Sequence, residues 1–239
     1  MKLDSKVAIV TGASSGIGAE FSKMLVNNGS EVYGLARSGD KLEALQKSLG
    51  KNFHPVKMDI TKADDLEKWV NKTFGRNHRP DILINNAGIM RSANVDELSL
   101  DDWHAMINVN LNGIFYLTRL IVPLMKENGH TCHIINIASI AGLLGNPSIS
   151  GYNASKFGVR GFSEALFKEL RYDGIKVTAI FPGSINTELF KKIEGVENHP
   201  NMMKTTDISS TVKFLLETDD NFLINEITMR PLNPKDPIN

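Results

Sequence analysis

Seven short apolar runs recur along the chain, and between them lie segments with helical spacing. The runs are KVAIVTG (6–12), EVYGLA (31–36), FHPVKM (53–58), DILINN (81–86), CHIINIAS (132–139), KVTAIFPG (176–183) and NEITMRP (225–231). Several are apolar on both faces, as strands of a parallel sheet covered on both sides must be. The intervening segments, such as IGAEFSKMLVNNG and NASKFGVRGFSEALFKELRYDG, show helical spacing, and several end at glycine. This alternation over 239 residues, without repeat, low-complexity block or linker, predicts one doubly wound α/β domain over 1–239. The right-handed crossover rule then limits its topology.

Lys plus Arg and Asp plus Glu balance at 27 each, which argues against nucleic acid or an anionic membrane as partner. A single cysteine, Cys132, excludes an intrachain disulfide framework. The opening MKLDSKVAIVTG holds only four apolar residues in a row, so no secretory segment is expected. No window is expected to approach the apolar length needed to span a bilayer, and the chain is expected in the cytoplasm. The sequons at Asn71 and Asn153 would then go unused.

TGASSGIG (11–18) follows the first strand and opens the first helix. Its Gly12, Gly16 and Gly18 are spaced G-x3-G-x-G, which is not the general dinucleotide spacing G-x-G-x-x-G. The physical use is the same: a tight turn that brings backbone N–H groups to a pyrophosphate at a helix N-terminus. Further on, SGYNASKFG (150–158) puts Tyr152 four residues before Lys156, on one helix face. A lysine cation there would lower the phenol pKa and let the tyrosine exchange a proton with a carbonyl oxygen. By itself such a pair is more often a partly exposed tyrosine and a solvated lysine.

TGASSGIG, NNAG (85–88), Ser139, Tyr152 and Lys156, in that order and at that spacing, resemble the short-chain dehydrogenase/reductase family, in its single-domain branch of about 250 residues. The resemblance runs from Lys6 to about Thr187 and implies a Rossmann-type three-layer sandwich with a mostly parallel central sheet of about seven strands. It implies catalytic roles for Asn110, Ser139, Tyr152 and Lys156, with Ser139 and Tyr152 on the substrate oxygen and Lys156 also on the nicotinamide ribose. Asn110 is chosen over Asn108 and Asn112 by the family pattern alone; the matching asparagine interrupts a long helix and holds a water that links Lys156 to solvent. It further implies cofactor contacts from Gly12, Ser14, Ser15, Gly16, Ile17 and Gly18, from Asp59 and Ile60 at the adenine, and from Asn86, Ala87 and Gly88 beside the ribose. PGSINT (182–187) would hold the carboxamide side through Pro182, Gly183, Ile185 and Thr187. The matching helices of the family pair across a two-fold axis, so a homodimer or homotetramer is expected, with Ile114, Leu117, Phe162 and Leu166 as candidate contacts.

The second strand ends at Ala36, followed by Arg37. No carboxylate stands there to select NAD, and a guanidinium can pair with a 2′-phosphate, so NADP(H) is expected over NAD(H). The segment of about 188–206 is expected to form a substrate loop, and Asn146 is its neighbouring wall's one polar group able to orient a substrate. Met202 and Met203 fit either a pocket or plain core. His104 and His133 lack metal-ligand spacing, and no metal site is expected. The favoured function is an NADP(H)-dependent oxidoreductase acting on a small-molecule carbonyl or alcohol. A nucleotide-sensing binding protein without turnover and a sugar-nucleotide epimerase or dehydratase are the alternatives, the last normally needing a longer C-terminal substrate domain.

Overall fold

The computed structural model describes residues 1–187 and 201–233. All seven expected runs are strands of one sheet, in the order β3-β2-β1-β4-β5-β6-β7. They are β1 (Val7–Thr11), β2 (Glu31–Ala36), β3 (Phe53–Lys57), β4 (Ile82–Asn85), β5 (Cys132–Ile137), β6 (Ile175–Pro182) and β7 (Glu226–Met229). Every neighbouring pair is parallel, so the sheet is fully rather than mostly parallel.

The alternation of side chains along each strand divides the core into two layers. Ala8 and Val10 of β1, Ile82 and Ile84 of β4, and Ile135 and Ile137 of β5 face one side. They pack under α1 (Gly16–Asn27), α2 (Gly39–Leu49) and α7 (Thr205–Glu217), through Phe21, Leu25, Leu42, Ile208 and Val212. Ile9, Leu83 and Ile134 face the other side, against Leu66 and Val70 of α3 (Ala63–Thr73), Leu117 and Ile121 of α5 (Gly113–Lys126), and Leu166 and Leu170 of α6 (Ser150–Leu170).

The stretch Leu100–Lys126 corrects one expectation, because it is long and apolar enough to cross a membrane by length and composition. Here it is α4 (Leu100–Ile107), a π-helical turn (Asn108–Asn112) and α5, with Met106, Ile114, Leu117, Ile121 and Met125 buried. The candidate contacts between subunits also change. Ile114, Leu117 and Leu166 lie in the core, while Phe115 and Phe157 of the same helices are 46% and 43% exposed. Strand order reverses between β1 and β4, and this switch point opens a crevice at their C-terminal ends.

Candidate active site

The crevice floor is built by backbone geometry. Gly12, just past β1, has φ +68°, where a side chain is strained. A Cβ at Gly18 would run into the Gly12 carbonyl oxygen and lie 2.6 Å from the Asn86 amide nitrogen. The Thr11 hydroxyl accepts from the Asn86 N–H at 2.9 Å and the Ala87 N–H at 3.0 Å, and the Asn86 amide donates to the Thr11 carbonyl at 2.9 Å. The turns after β1 and β4 are thus one unit. Ser15 caps α1 without a side-chain hydrogen bond, which leaves the first-turn N–H groups to a ligand.

A cavity of about 350 Å³ opens on this floor. Gly12, Ser14, Ser15, Asn86, Ala87 and Gly88 line one side, and Arg37, Asp59 and Ile60 line the far end. Asp59 accepts from the Thr61 N–H at 3.0 Å and the Thr61 hydroxyl at 2.8 Å. Burial alone would raise its pKa, but those bonds and the Arg37 charge hold it below the usual carboxylate value. Lys41, Met90, Arg91 and Val109 also line this cavity and were not expected. Lys41 carried a readable signal, since it lies four residues after Arg37 across the start of α2. Arg91 carried none, because its place depends on the path of the loop after β4.

A second cavity shares Asn86 and Gly88 with the first, and gathers Ile17, Ser139, Tyr152, Lys156, Pro182, Gly183, Ile185 and Thr187. Ser139 follows β5 and caps a short 3-10 turn, its hydroxyl accepting from the Ala141 N–H at 3.1 Å. Tyr152 and Lys156, on the first turns of α6, are 7% and 3% exposed. Gly16 and Gly18 are not among the residues that line either cavity. The two adjoining cavities, the glycine floor that a Cβ would fill and the Arg37 charge in the larger cavity fit a nicotinamide dinucleotide.

The expected lowering of the Tyr152 pKa is not what the protein by itself shows. Burial pushes the phenol up to about 12, against a partial pull downward from the Ser139 hydroxyl. Burial likewise pushes Lys156 down to about 8. The Lys156 ammonium donates to the Ile137 carbonyl at 2.9 Å and stands 5.7 Å from the Tyr152 ring centroid. Burial therefore disfavours the charged form of each group, yet at neutral pH the phenol is protonated and neutral while Lys156 still carries most of its charge.

Asn110 does interrupt the long helix, at the centre of the π-helical turn. Its amide accepts from the Ile89 N–H at 2.8 Å and donates to the Ile89 carbonyl at 2.9 Å and the Ser155 hydroxyl at 3.0 Å. The side chain thus ties the segment after β4 to α6, and its donors are spent there. Asn146 is exposed and outside both cavity linings; its backbone N–H donates to the Asn153 amide oxygen at 3.1 Å, and its side-chain amide donates to the Leu144 carbonyl at 3.5 Å. Of the expected substrate loop, 188–200 lies outside the described residues, and with it His199. Met202 and Met203 are buried, with Met203 bridging to Ile185 as part of the core.

The two histidines read for metal spacing are separate, His104 exposed and His133 buried against the Thr178 hydroxyl at 2.9 Å. At the opposite end of the sheet, Asp81, His130 and Cys132 bring three ligand-type atoms within 4.8 Å of one another. The Lys6 ammonium already donates to Asp81 there at 3.0 Å, and burial raises the Cys132 thiol to about 11.

A family model described as short chain dehydrogenase matches residues 6–198. The chain is 36% identical over 234 residues to an uncharacterized oxidoreductase of Staphylococcus aureus (strain MRSA252), covering 96% of this chain and 99% of that one. It is 37% identical over 198 residues to the 3-oxoacyl-(acyl-carrier-protein) reductase FabG of Thermotoga maritima, covering 81% of this chain and 79% of that one. Among solved structures, a 3-ketoacyl-(acyl-carrier-protein) reductase from Brucella melitensis complexed with NADH superposes with a TM-score of 0.89 at 27% identity, covering 98% of this chain and 100% of that one. The closed form of a serine dehydrogenase complexed with NADP+ gives 0.88 at 30% identity, covering 98% of both chains. The family model matched over 6–198 and the relatives matched along nearly the whole chain show that the chain belongs to the short-chain dehydrogenase family of oxidoreductases.

Proposed function

We propose that this chain is an NADP(H)-dependent oxidoreductase that converts a small-molecule carbonyl to an alcohol, or the reverse, with Tyr152 as general acid and base. The observation that carries this reading is the meeting of Ser139, Tyr152 and Lys156 in one cavity that shares a wall with a longer cleft ending at Arg37. The bound nicotinamide supplies or accepts the hydride. In reduction, Tyr152 gives its phenolic proton to the carbonyl oxygen as negative charge develops there, and the Ser139 hydroxyl donates to the same oxygen. A buried phenol held near 12 is fully protonated at neutral pH, the form an acid needs. In oxidation the phenolate is the working form, and a protonated Lys156 favours it.

Relatives with NADH and with NADP+ both occur, so the cofactor choice rests on this chain's own residues. β2 ends at Ala36 with Arg37 next and no carboxylate at either position, and Lys41 adds a second cation to the same cavity. We place the activity in the cytoplasm with the nicotinamide pool, in a single domain that pairs into a homodimer or homotetramer through α5 and α6.

The test is turnover of a panel of ketones, aldehydes and 3-oxoacyl thioesters with NADPH, by wild type and by Tyr152→Phe. Tyr152→Phe is expected to bind NADPH normally and to lose about 100- to 10,000-fold in kcat. Undiminished turnover by Tyr152→Phe, or a wild type inactive on every carbonyl class, would count against the proposal.

A further inference from the structure

Asn153 follows Tyr152 directly and is 6% exposed. Its amide nitrogen donates to the carbonyl oxygens of Ala141, at 2.7 Å, and Leu144, at 2.6 Å. Its amide oxygen accepts from the Asn146 N–H at 3.1 Å. Carbonyls only accept and a backbone N–H only donates, so these partners fix the orientation of the amide and use both of its donors. All three come from the segment just after Ser139. That segment lies tightly on α6, since a Cβ at Gly142 would stand 2.7 Å from the Lys156 carbonyl oxygen.

Ala141 connects this amide to Ser139. The Ala141 N–H donates to the Ser139 hydroxyl, and the Ala141 carbonyl is held by Asn153. A continuous path therefore runs from Tyr152 through its covalent neighbour Asn153 to Ala141 and Ser139. Successive helical residues point about 100° apart, so Tyr152 can face the cavity while Asn153 faces the loop. We propose that Asn153 is a positioning residue: by holding the Ala141–Asn146 backbone on α6, it sets the Ser139 hydroxyl against the Tyr152 phenol. This rests on the reading of Ser139 and Tyr152 as the groups that meet the substrate oxygen.

Two substitutions separate positioning from bulk stability. Asn153→Ala leaves two carbonyls and one N–H without their partner. Asn153→Asp keeps the shape and still accepts from Asn146, but its carboxylate faces two carbonyl oxygens. Protonation of that carboxyl restores one donor. Acid should therefore rescue Asn153→Asp and leave Asn153→Ala impaired.

The experiment measures NADPH Kd by fluorescence, and kcat and KM for a carbonyl that wild type reduces, for wild type, Asn153→Ala, Asn153→Asp and Tyr152→Phe between pH 5.5 and 8. Both Asn153 variants are expected to keep NADPH Kd within about twofold, to raise KM and to lower kcat by roughly tenfold at pH 8, a loss in the range for slightly misplaced groups. The ratio of Asn153→Asp to wild type in kcat should climb several-fold toward pH 5.5, whereas the ratio of Asn153→Ala to wild type, which has no carboxyl to protonate, should not. If Asn153→Ala fails to fold, the isosteric Asp variant decides. A flat ratio for Asn153→Asp, or wild-type kcat and KM in both variants, overturns the inference while leaving the proposed function standing. Full turnover by Tyr152→Phe removes that function and this inference with it.

Discussion

Lys156 gives its hydrogen bond to the Ile137 carbonyl, 2.9 Å away, and not to the Tyr152 phenol one helical turn before it. The pair is in place, yet burial works against the charge on each member. A cation held under this penalty should destabilise the fold that holds it.

Replacing Lys156 by methionine should therefore stabilise the cofactor-free protein while removing turnover. The gain is on the order of 1–3 kcal/mol at pH 7, as for other buried charges replaced by apolar groups. For a protein of this size that is several degrees in Tm. The sign with pH follows from the folded pKa of about 8, depressed from 10.5. The penalty is complete below pH 8, and wild-type stability recovers as pH rises from 8 toward 10.5, so the two proteins should converge there. Thermal melts at pH 7 and pH 10 check this; a Lys156→Met protein that melts lower at pH 7 would refute it.

Arg37→Ala should weaken NADPH binding by about ten- to hundredfold, the value of a charge-assisted contact, and leave NADH unchanged. Lys41 is exposed and should matter less, with Lys41→Ala costing NADPH a few-fold at low salt. Titrations of both cofactors into each variant decide. Equal loss of NADH and NADPH affinity would show that Arg37 acts on the adenosine and not on the 2′-phosphate.

Gly18→Ala should damage the floor of the crevice, because the new methyl meets the Gly12 carbonyl and the Asn86 amide. Overpacking of this kind costs about 1–3 kcal/mol. Cofactor affinity should fall with it, since the same shift moves both turns. A variant with unchanged Tm and unchanged NADPH Kd would show that the two turns can part without consequence.

Phe115→Asp should dissociate the expected oligomer. Phe115 is 46% exposed on α5 and its ring packs 6.4 Å from that of Phe162 on α6, so it bridges the two helices at the surface. Light scattering at micromolar concentration should give a dimer or tetramer for wild type and a monomer for the variant. A monomeric wild type would end this expectation.

The order of strands and helices, the glycine turn after β1 and the facing of Tyr152 and Lys156 were legible in the sequence because each depends on local chemistry. Apolar runs make buried strands, glycines permit the Gly12 turn, and a four-residue spacing puts Tyr152 and Lys156 on one face of α6. Tertiary structure decided what depends on distant partners. Local spacing placed Tyr152 and Lys156 together, but the surrounding core set the direction of both pKa shifts. Ile114, Leu117 and Leu166 read as candidate contacts between subunits and proved to be core, because an apolar stripe does not say which neighbour covers it. Asn153 read as an unused sequon. Its partners Ala141, Leu144 and Asn146 become visible only when the loop after β5 folds back on α6, since hydrogen bonds to backbone leave no mark in the residue types they join.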